Sequence, residues 1–298
     1  MRAKYLIIVA LIVGASSALS ADAGESAFTF LRIAPGSRPA ALAEAVTASG
    51  QDVTSAFYNP ALLRSIESRN QVAFMYNAYF VDVSQNYLGF ATKGKKSALG
   101  GYMVLGGVPD IERRDSPSDN PSGQFDESYF SGTFSYAYSF DRFDLGVNLR
   151  YSYEKLDYES ASSVMFDAGA AFNIADNLSG GAAVKNIGTD PKFINQSYPL
   201  SEEYRIGLAY KPENFDRNLA FLGDAVFYSD LQPKYNFGVE YATPNYITLR
   251  IGYGAGYDSR GLSFGGGLNY RQFRFDYAFV SYANDLGNAH RFTLMANF

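Results

Sequence analysis

Residues Tyr129–Phe140 read YFSGTFSYAYSF. Every even position from Phe130 to Phe140 is aromatic or glycine (Phe130, Gly132, Phe134, Tyr136, Tyr138, Phe140), and the odd positions after Tyr129 are small: Ser131, Thr133, Ser135, Ala137 and Ser139. A period of two belongs to a β-strand with two unlike faces. The same rhythm returns downstream, where Leu145, Val147, Leu149, Tyr151 and Tyr153 interleave with Gly146, Asn148, Arg150, Ser152 and Glu154, and Ile247, Leu249, Ile251 and Tyr253 interleave with Thr248, Arg250 and Gly252. From Gln71 onward the turn signals predict fourteen such segments, near 71–81, 86–94, 97–105, 128–140, 143–154, 163–174, 177–186, 203–211, 219–229, 234–242, 245–254, 261–271, 273–282 and 290–298.

Alternation alone does not separate a membrane barrel from a soluble sandwich, since a sandwich would bury the aromatic face in its core. The connections decide. Those after odd-numbered strands include the long stretches Gly106 to Glu127 and Asn186 to Glu202, whereas those after even-numbered strands are mostly tight, as at Gly94 to Lys96, Asp141-Arg142 and Ala175-Asp176, with Pro212 to Asn218 the one longer exception. Tight turns on one rim and long loops on the other describe an up-and-down transmembrane barrel with both chain ends on the periplasmic side. Closure leaves no strand edge unpaired, so the outer face can rest in hydrocarbon. Phe134 and Tyr136 are then expected to face lipid, and Ser135 and Ala137 the lumen.

Composition agrees. The 298-residue chain has no Cys, no Trp, one His, 24 Tyr, 24 Phe and 28 Gly, with a formal net charge of −5. Its mean hydropathy of −0.14 suits apolar residues that alternate with polar ones. The acidity and the lack of a basic run argue against nucleic-acid partners, and without Cys no thiolate metal site, thioether haem or disulfide forms. Arg2 and Lys4, the apolar run Tyr5 to Gly14 and the small residues that follow predict a signal peptide over residues 1–23, with cleavage after Ala18, Ser20 or Ala23. The protein is therefore expected to leave the cytoplasm for the bacterial outer membrane, with outer-membrane lipid as its surroundings and the barrel assembly machinery as a partner. The last residues, HRFTLMANF, put Phe292, Leu294, Ala296 and the terminal Phe298 on one face, which resembles the closing signature of outer-membrane barrels.

Residues 24–70, ahead of a barrel at 71–298, do not alternate. Ser37 is expected to cap a short helix with Pro39 in its first turn, and Asp52 a second, VTSAFY, stopped by Asn59-Pro60. This low-charge, small-residue segment is read as a mostly helical hatch folded into the lumen. Its residues Gly36, Arg38, Ala45, Asp52, Asn59, Pro60 and Ala61, with the ending GNAHRFTL, resemble the signature of the PorV/PorQ family, relatives of the FadL-type long-chain fatty acid transporters. The family usually carries Gly-Gly where this chain has Ala43-Glu44. The resemblance implies a FadL-like barrel of fourteen strands with an N-terminal plug.

Asn59, Pro60 and Ala61 read either as a helix stop with an asparagine turn or as a motif used in ligand passage. Arg150, Asp167, Lys185, Arg205, Asp224, Glu240 and Arg250 fall on the lumen face, where opposite charges on neighbouring strands pair; structural pairing is favoured over a role in guiding a polar ligand head. Gly100-Gly101, mid-strand, reads as a kink. In FadL-type proteins a kinked third strand opens a lateral exit, and room for the hatch explains the glycines equally well. The loop DSPSDNPSGQFDE, with Asp115 and Asp119, fits no calcium-loop spacing. His290 has no identifiable nucleophile partner, so no enzyme, cofactor or metal site is expected. Two functions remain open: passage of small hydrophobic molecules such as fatty acids through a plugged lumen, with a lateral opening; or a component of the type IX secretion system that binds cargo and shuttles it to the surface alongside secretion-system proteins.

Overall fold

The computed structural model describes residues 26–79, 83–114, 120–215, 218–244 and 246–298. The expected signal segment, Asp115 and Asp119 lie outside these residues. The strands are β1 Asn70–Ala78, β2 Ser84–Lys93, β3 Ser97–Arg113, β4 Gly123–Ser139, β5 Phe143–Leu156, β6 Glu159–Ala175, β7 Leu178–Gly188, β8 Lys192–Phe193, β9 Gln196–Ser197, β10 Glu203–Tyr210, β11 Leu219–Tyr228, β12 Lys234–Ala242, β13 Ile247–Ala255, β14 Arg260–Tyr270, β15 Phe273–Tyr282 and β16 Asn288–Asn297. All but β8 and β9 form one closed antiparallel barrel of fourteen strands; β8 and β9 are a small hairpin within the connection from β7 to β10. Closure joins β1 to β16 in unbroken register from Gln71↔Asn297 to Ala78↔His290.

The two faces are those the alternation predicts. Phe134 is 55% exposed on the outer wall and Tyr136 lies beside it, while Ser135 and Ala137 are fully buried in the bore. Tyr129, the one large residue in the inward set of the stretch from Tyr129 to Phe140, is buried because Phe30 of the N-terminal segment stacks on it at 4.3 Å. Outward residues such as Phe90, Leu149, Phe166, Phe237 and Leu249 continue the apolar band around the barrel. Phe134→Arg is expected to lower the unfolding free energy in lipid vesicles by about 2–4 kcal/mol, because a guanidinium near the bilayer midplane loses its hydration. Urea titration in vesicles measures this, and an unchanged midpoint would show that Phe134 does not face lipid.

Two expectations about the rims change. Much of Gly106 to Glu127, read as a loop, is strand: β3 runs on to Arg113 and β4 starts at Gly123, with a register shift between Val108 and Ile111 where Asp110 takes φ 55°. β5 and β6 likewise extend to Leu156 and Glu159, leaving only Asp157 and Tyr158 as the turn. β3–β6 therefore project past the long-loop rim as a continuous sheet. The second change concerns the chain ends. The ladder begins and ends on the short-turn rim, but Ser26 and Ala27 sit at the opposite rim, where Ala27 N–H donates to Pro199 O at 3.1 Å and Ser26 Oγ donates to Asp230 Oδ2 at 2.6 Å. The segment ahead of β1 thus traverses the bore from rim to rim.

That segment is short turns and helices with almost every residue buried. One helix spans Ser37–Ala41 and another Ser55–Tyr58; 3-10 turns cover Thr29–Arg32 and Pro60–Ser65. Ser37 does not cap the first helix. Gly36, at φ 99°, precedes it, and Ser37 Oγ instead lies 2.7 Å from Thr293 Oγ1 of β16. Asp52 stands ahead of the second helix as expected, its Oδ1 accepting from Thr54 N–H at 2.9 Å, but the regular helix begins only at Ser55.

Candidate functional site

The wall carries a ring of glycines where the hatch main chain touches it. A Cβ built on Gly146 of β5 would stand 2.3 Å from Pro60 C and Ala61 N, and one on Gly169 of β6 would stand 2.0 Å from Asn59 Oδ1. These two glycines are directly opposed in the ladder. So are Gly181 and Gly207, against Thr47, and Gly238 and Gly252, against Leu42 and Ala43. A Cβ on Gly265 would stand 2.4 Å from Ala41 Cβ. A side chain at Gly146, Gly181 or Gly252 would meet hatch main chain, and one at Gly169, Gly207, Gly238 or Gly265 would crowd the Asn59, Thr47, Leu42 or Ala41 side chain, so the bore is shaped to let the hatch approach closely.

Asn59, Pro60 and Ala61 lie flat on this ring. Tyr58 ends the helix, Asn59 is extended, and its Oδ1 accepts from Ala61 N–H at 3.1 Å, so it caps the turn that Pro60 opens. Its Nδ2 donates to Thr47 O at 2.9 Å and to Ala170 O of β6 at 3.0 Å. One asparagine therefore joins two hatch segments and the wall.

The inward charges that the alternation singled out are buried and paired, and several hold the hatch directly. Glu240 accepts from Arg250 Nε at 2.7 Å and from Arg38 of the hatch through Nε at 2.9 Å and Nη2 at 3.0 Å. Arg38 is fully buried and closes its fork on Ser49 O and Ser49 Oγ, both at 2.9 Å. Asp224 Oδ2 accepts from the Val46 and Thr47 amides at 3.0 Å each and from Arg205 at 3.1 Å, while Arg205 also donates to Glu44 O at 2.6 Å. Arg150 reaches Asp167 at 2.6 Å. Lys185 pairs with Glu203 at 2.8 Å rather than with Asp167 of the neighbouring strand, because a bulge between β6 and β7 turns Asn186 toward Asp167 and leaves Lys185 opposite Glu203 on β10. Lys185 Nζ also lies 4.1 Å from the centroid of the Phe57 ring, a cation over an aromatic face of the hatch.

The ladder passes through Gly100 and Gly101 without a register shift on either side, so neither is a bulge, and the irregularity of β3 lies at Val108 to Ile111. A Cβ on Gly100 would meet Leu63 of the hatch at 3.2 Å and Phe90 O at 2.9 Å, so this glycine makes room for the hatch. His290 faces outward, with Nδ1 2.9 Å from Tyr277 Oη, away from the bore charges.

Of the residues not singled out from sequence, Glu44, which pairs with Arg260, and Asp230, which gathers Ser26, Ser201 and Arg32 at the outer rim, are joined by the hatch path, whereas Asp276, shared by Arg250 and Arg274, lies on the inward face of β15 within its alternation. Burial raises the Asp230 carboxyl, but the two hydroxyl donors and the Arg32 guanidinium outweigh it and hold the group below its ordinary range. Ala43 and Glu44 occupy left-handed backbone, φ 50° and 67°, which accounts for the glycines usual at this bend. Ala43→Gly is expected to raise stability by about 1 kcal/mol, since it relieves that strain. A urea midpoint that falls would contradict this.

Several solved structures share the fold. The toluene transporter TbuX of Ralstonia pickettii matches with a TM-score of 0.63 at 12% identity over 87% of this chain and 98% of its own. The toluene transporter TodX of Pseudomonas putida gives 0.64 at 12% identity over 87% and 98%, and a FadL homologue of Pseudomonas aeruginosa gives 0.60 at 13% over 88% and 97%. No curated protein sequence matches the chain. One family model does, described as "Type IX secretion system protein PorV", over residues 19–193. That span includes the hatch, its glycine seats on β3, β5, β6 and β7, and the strands that project beyond the rim. The match extends over more than half of the sequence, and this outer-membrane barrel belongs to the PorV family of type IX secretion system proteins.

Proposed function

We propose that the barrel admits small hydrophobic molecules from the outer surface into the upper bore, where the first hatch residues now lie. The observation that carries this reading is the aromatic seat of Phe28 and Phe30. Phe30 stacks on Tyr129 and Phe28 packs edge-on against Phe193, while polar ties at Asp230 and Pro199 hold the segment at the rim. An apolar molecule that competes for those rings displaces residues 26–33 without breaking the buried ion pairs below. Transport of toluene by TodX and TbuX, which share the fold, supports the reading. Onward exit is by a shift of the hatch or sideways through the wall, and no catalytic step is required. Because the chain has no Trp, Phe30→Trp supplies a single clean reporter. Saturable change of its emission with toluene or a long-chain alcohol is the expected result; absence of any change, together with unaltered uptake in a deletion strain, contradicts the reading.

A second role is supported by family membership and by the protruding sheet. β3–β6 carry exposed surface beyond the rim, including Tyr158 at 82% exposure, and this offers a platform for secretion partners and cargo at the cell surface. It predicts co-purification with a secretion partner and loss of cargo display on deletion. Deletion of the projecting parts of β3 and β4 with display intact would contradict it.

A further inference from the structure

β14 carries three glycines in a row, and the middle one faces the membrane. Gly265 and Gly267 point into the bore, where Cβ atoms would meet Ala41 of the hatch and the Arg250–Asp276 pair. Gly266 points out, between Leu249 on β13 and Tyr277 on β15. Four other outward glycines, Gly101, Gly132, Gly180 and Gly223, each lie beside a neighbouring ring, the usual cover for a bare glycine in a sheet. A Cβ built on them would stand 3.0 Å from Phe90, 3.0 Å from Phe130, 2.5 Å from Phe172 and 3.8 Å from Phe237. No ring covers Gly266. Chain neighbours aside, the one atom within 4 Å of its Cβ position is Thr248 O, at 3.6 Å.

Around this bare main chain the outer wall sinks into an open groove of about 680 Å³, with Leu268, Phe275 and Tyr277 on one side and Phe74, Phe292 and Leu294 on the other. Its depth in the membrane follows from the strand. Five residues separate Gly266 from Arg271 in the turn after β14, about 17 Å of antiparallel strand, which tilt shortens to about 13 Å along the membrane normal. Half of the hydrocarbon core is about 15 Å. The groove therefore spans the tail region of the leaflet next to the short-turn rim, the periplasmic one. Arg271 stands at the head-group level of that leaflet. It is exposed, its guanidinium lies 5.4 Å from the ring centroid of the outward-facing Tyr270, and no ion pair among the described residues uses it.

We infer that this groove is a lipid site on the outer wall, holding one acyl chain of an anionic phospholipid of the periplasmic leaflet with its phosphate on Arg271. A chain lying over Gly266 touches the floor and both walls, whereas a chain on the smooth wall touches one surface, so dispersion favours the groove. The planar guanidinium takes a phosphate through two parallel N–H donors. A lipid of the opposite leaflet would carry its head group to the long-loop rim, away from Arg271. The site is separate from the bore and stands or falls apart from uptake through it. The wall is thinnest here, for Gly265 and Gly267 bring the hatch and the Arg250–Asp276 pair against the inner side of the same strand.

Single-tryptophan barrels report the site cleanly, since the chain has no Trp. Full-length mature protein carrying Phe292→Trp in the groove wall, or Phe134→Trp elsewhere on the outer wall, is placed in dioleoylphosphatidylcholine vesicles. Dibrominated phosphatidylglycerol or dibrominated phosphatidylcholine is then titrated in as quencher. Phosphatidylglycerol is expected to quench the Phe292→Trp indole at a concentration about fivefold below that of phosphatidylcholine, the worth of one cation near an anionic head group. The two lipids should quench the Phe134→Trp indole equally. Adding Arg271→Gln or the groove-filling Gly266→Leu to Phe292→Trp should remove the preference, and Arg271→Lys should keep part of it. Heat-modifiable gel migration confirms that each variant is folded. Equal quenching by both lipids at Phe292→Trp overturns the site, and that comparison needs no further variant. A preference that survives in folded Arg271→Gln or Gly266→Leu also overturns it. So does a Phe292→Trp indole that neither lipid quenches while Phe134→Trp is quenched, which would show that protein, such as a second copy of the chain, covers the groove.

Discussion

Replacing Glu240 by glutamine is expected to destabilise the barrel by about 3–5 kcal/mol, because it removes the charge shared by two buried guanidinium groups. Arg250 keeps Asp276 at 2.7 Å, so the larger loss falls on Arg38, whose remaining partners are Ser49 O and Ser49 Oγ. The hatch should therefore loosen around Arg38 before the wall unfolds. The natural chain has no Cys, which makes site-directed labelling clean. A cysteine placed at buried Ala56 should react with a maleimide far faster in the Glu240→Gln background than with Glu240 intact, and urea unfolding monitored by far-UV circular dichroism should show the lower stability. A midpoint and labelling rate equal to those of the parent would show that the Arg38–Glu240 pair does not hold the hatch.

Gly146→Val tests the other half of the docking. A valine there places Cβ and two methyl groups where Pro60 and Ala61 now lie, and the obstacle is main chain, which cannot rotate aside. The outcome is either a displaced hatch or a strained wall. Overpacking of this kind costs typically about 1–3 kcal/mol, and more where backbone must move. The same maleimide assay should report greater exposure of residue 56, while the outward neighbour Val147→Leu, which touches only lipid, should change nothing. Equal labelling in the two variants would mean that the ring of glycines is not a seat for the hatch.

The strands were legible because lipid and lumen impose opposite chemistry on alternate residues. Spacing put Phe134 and Ser135 on opposite faces, and the unequal connections at the two rims told which face meets lipid. The projecting parts of β3 and β4 were not legible: Pro109 and Asp110 read as the start of a loop, and only cross-strand pairing beyond the bulge at Val108 to Ile111, from Ile111 with Phe125 to Arg113 with Gly123, makes the flanking residues sheet. Opposite charges were predictable where partners face each other in the ladder, as Glu240 and Arg250 do. Arg38 escaped because its partner lies 202 positions away and is reached only through the hatch path, which has no period to read. The Ala43-Glu44 bend follows the same rule, since left-handed backbone is visible from sequence only where glycine marks it.

Electrical recording in planar bilayers tests the plugged bore most directly. The account predicts that the intact protein shows no steady ohmic conductance, that removal of residues 26–66 yields a stable open channel, and that Glu240→Gln gives intermittent openings between these limits. Steady conductance by the intact barrel, equal to that of the hatch-deleted form, would contradict it.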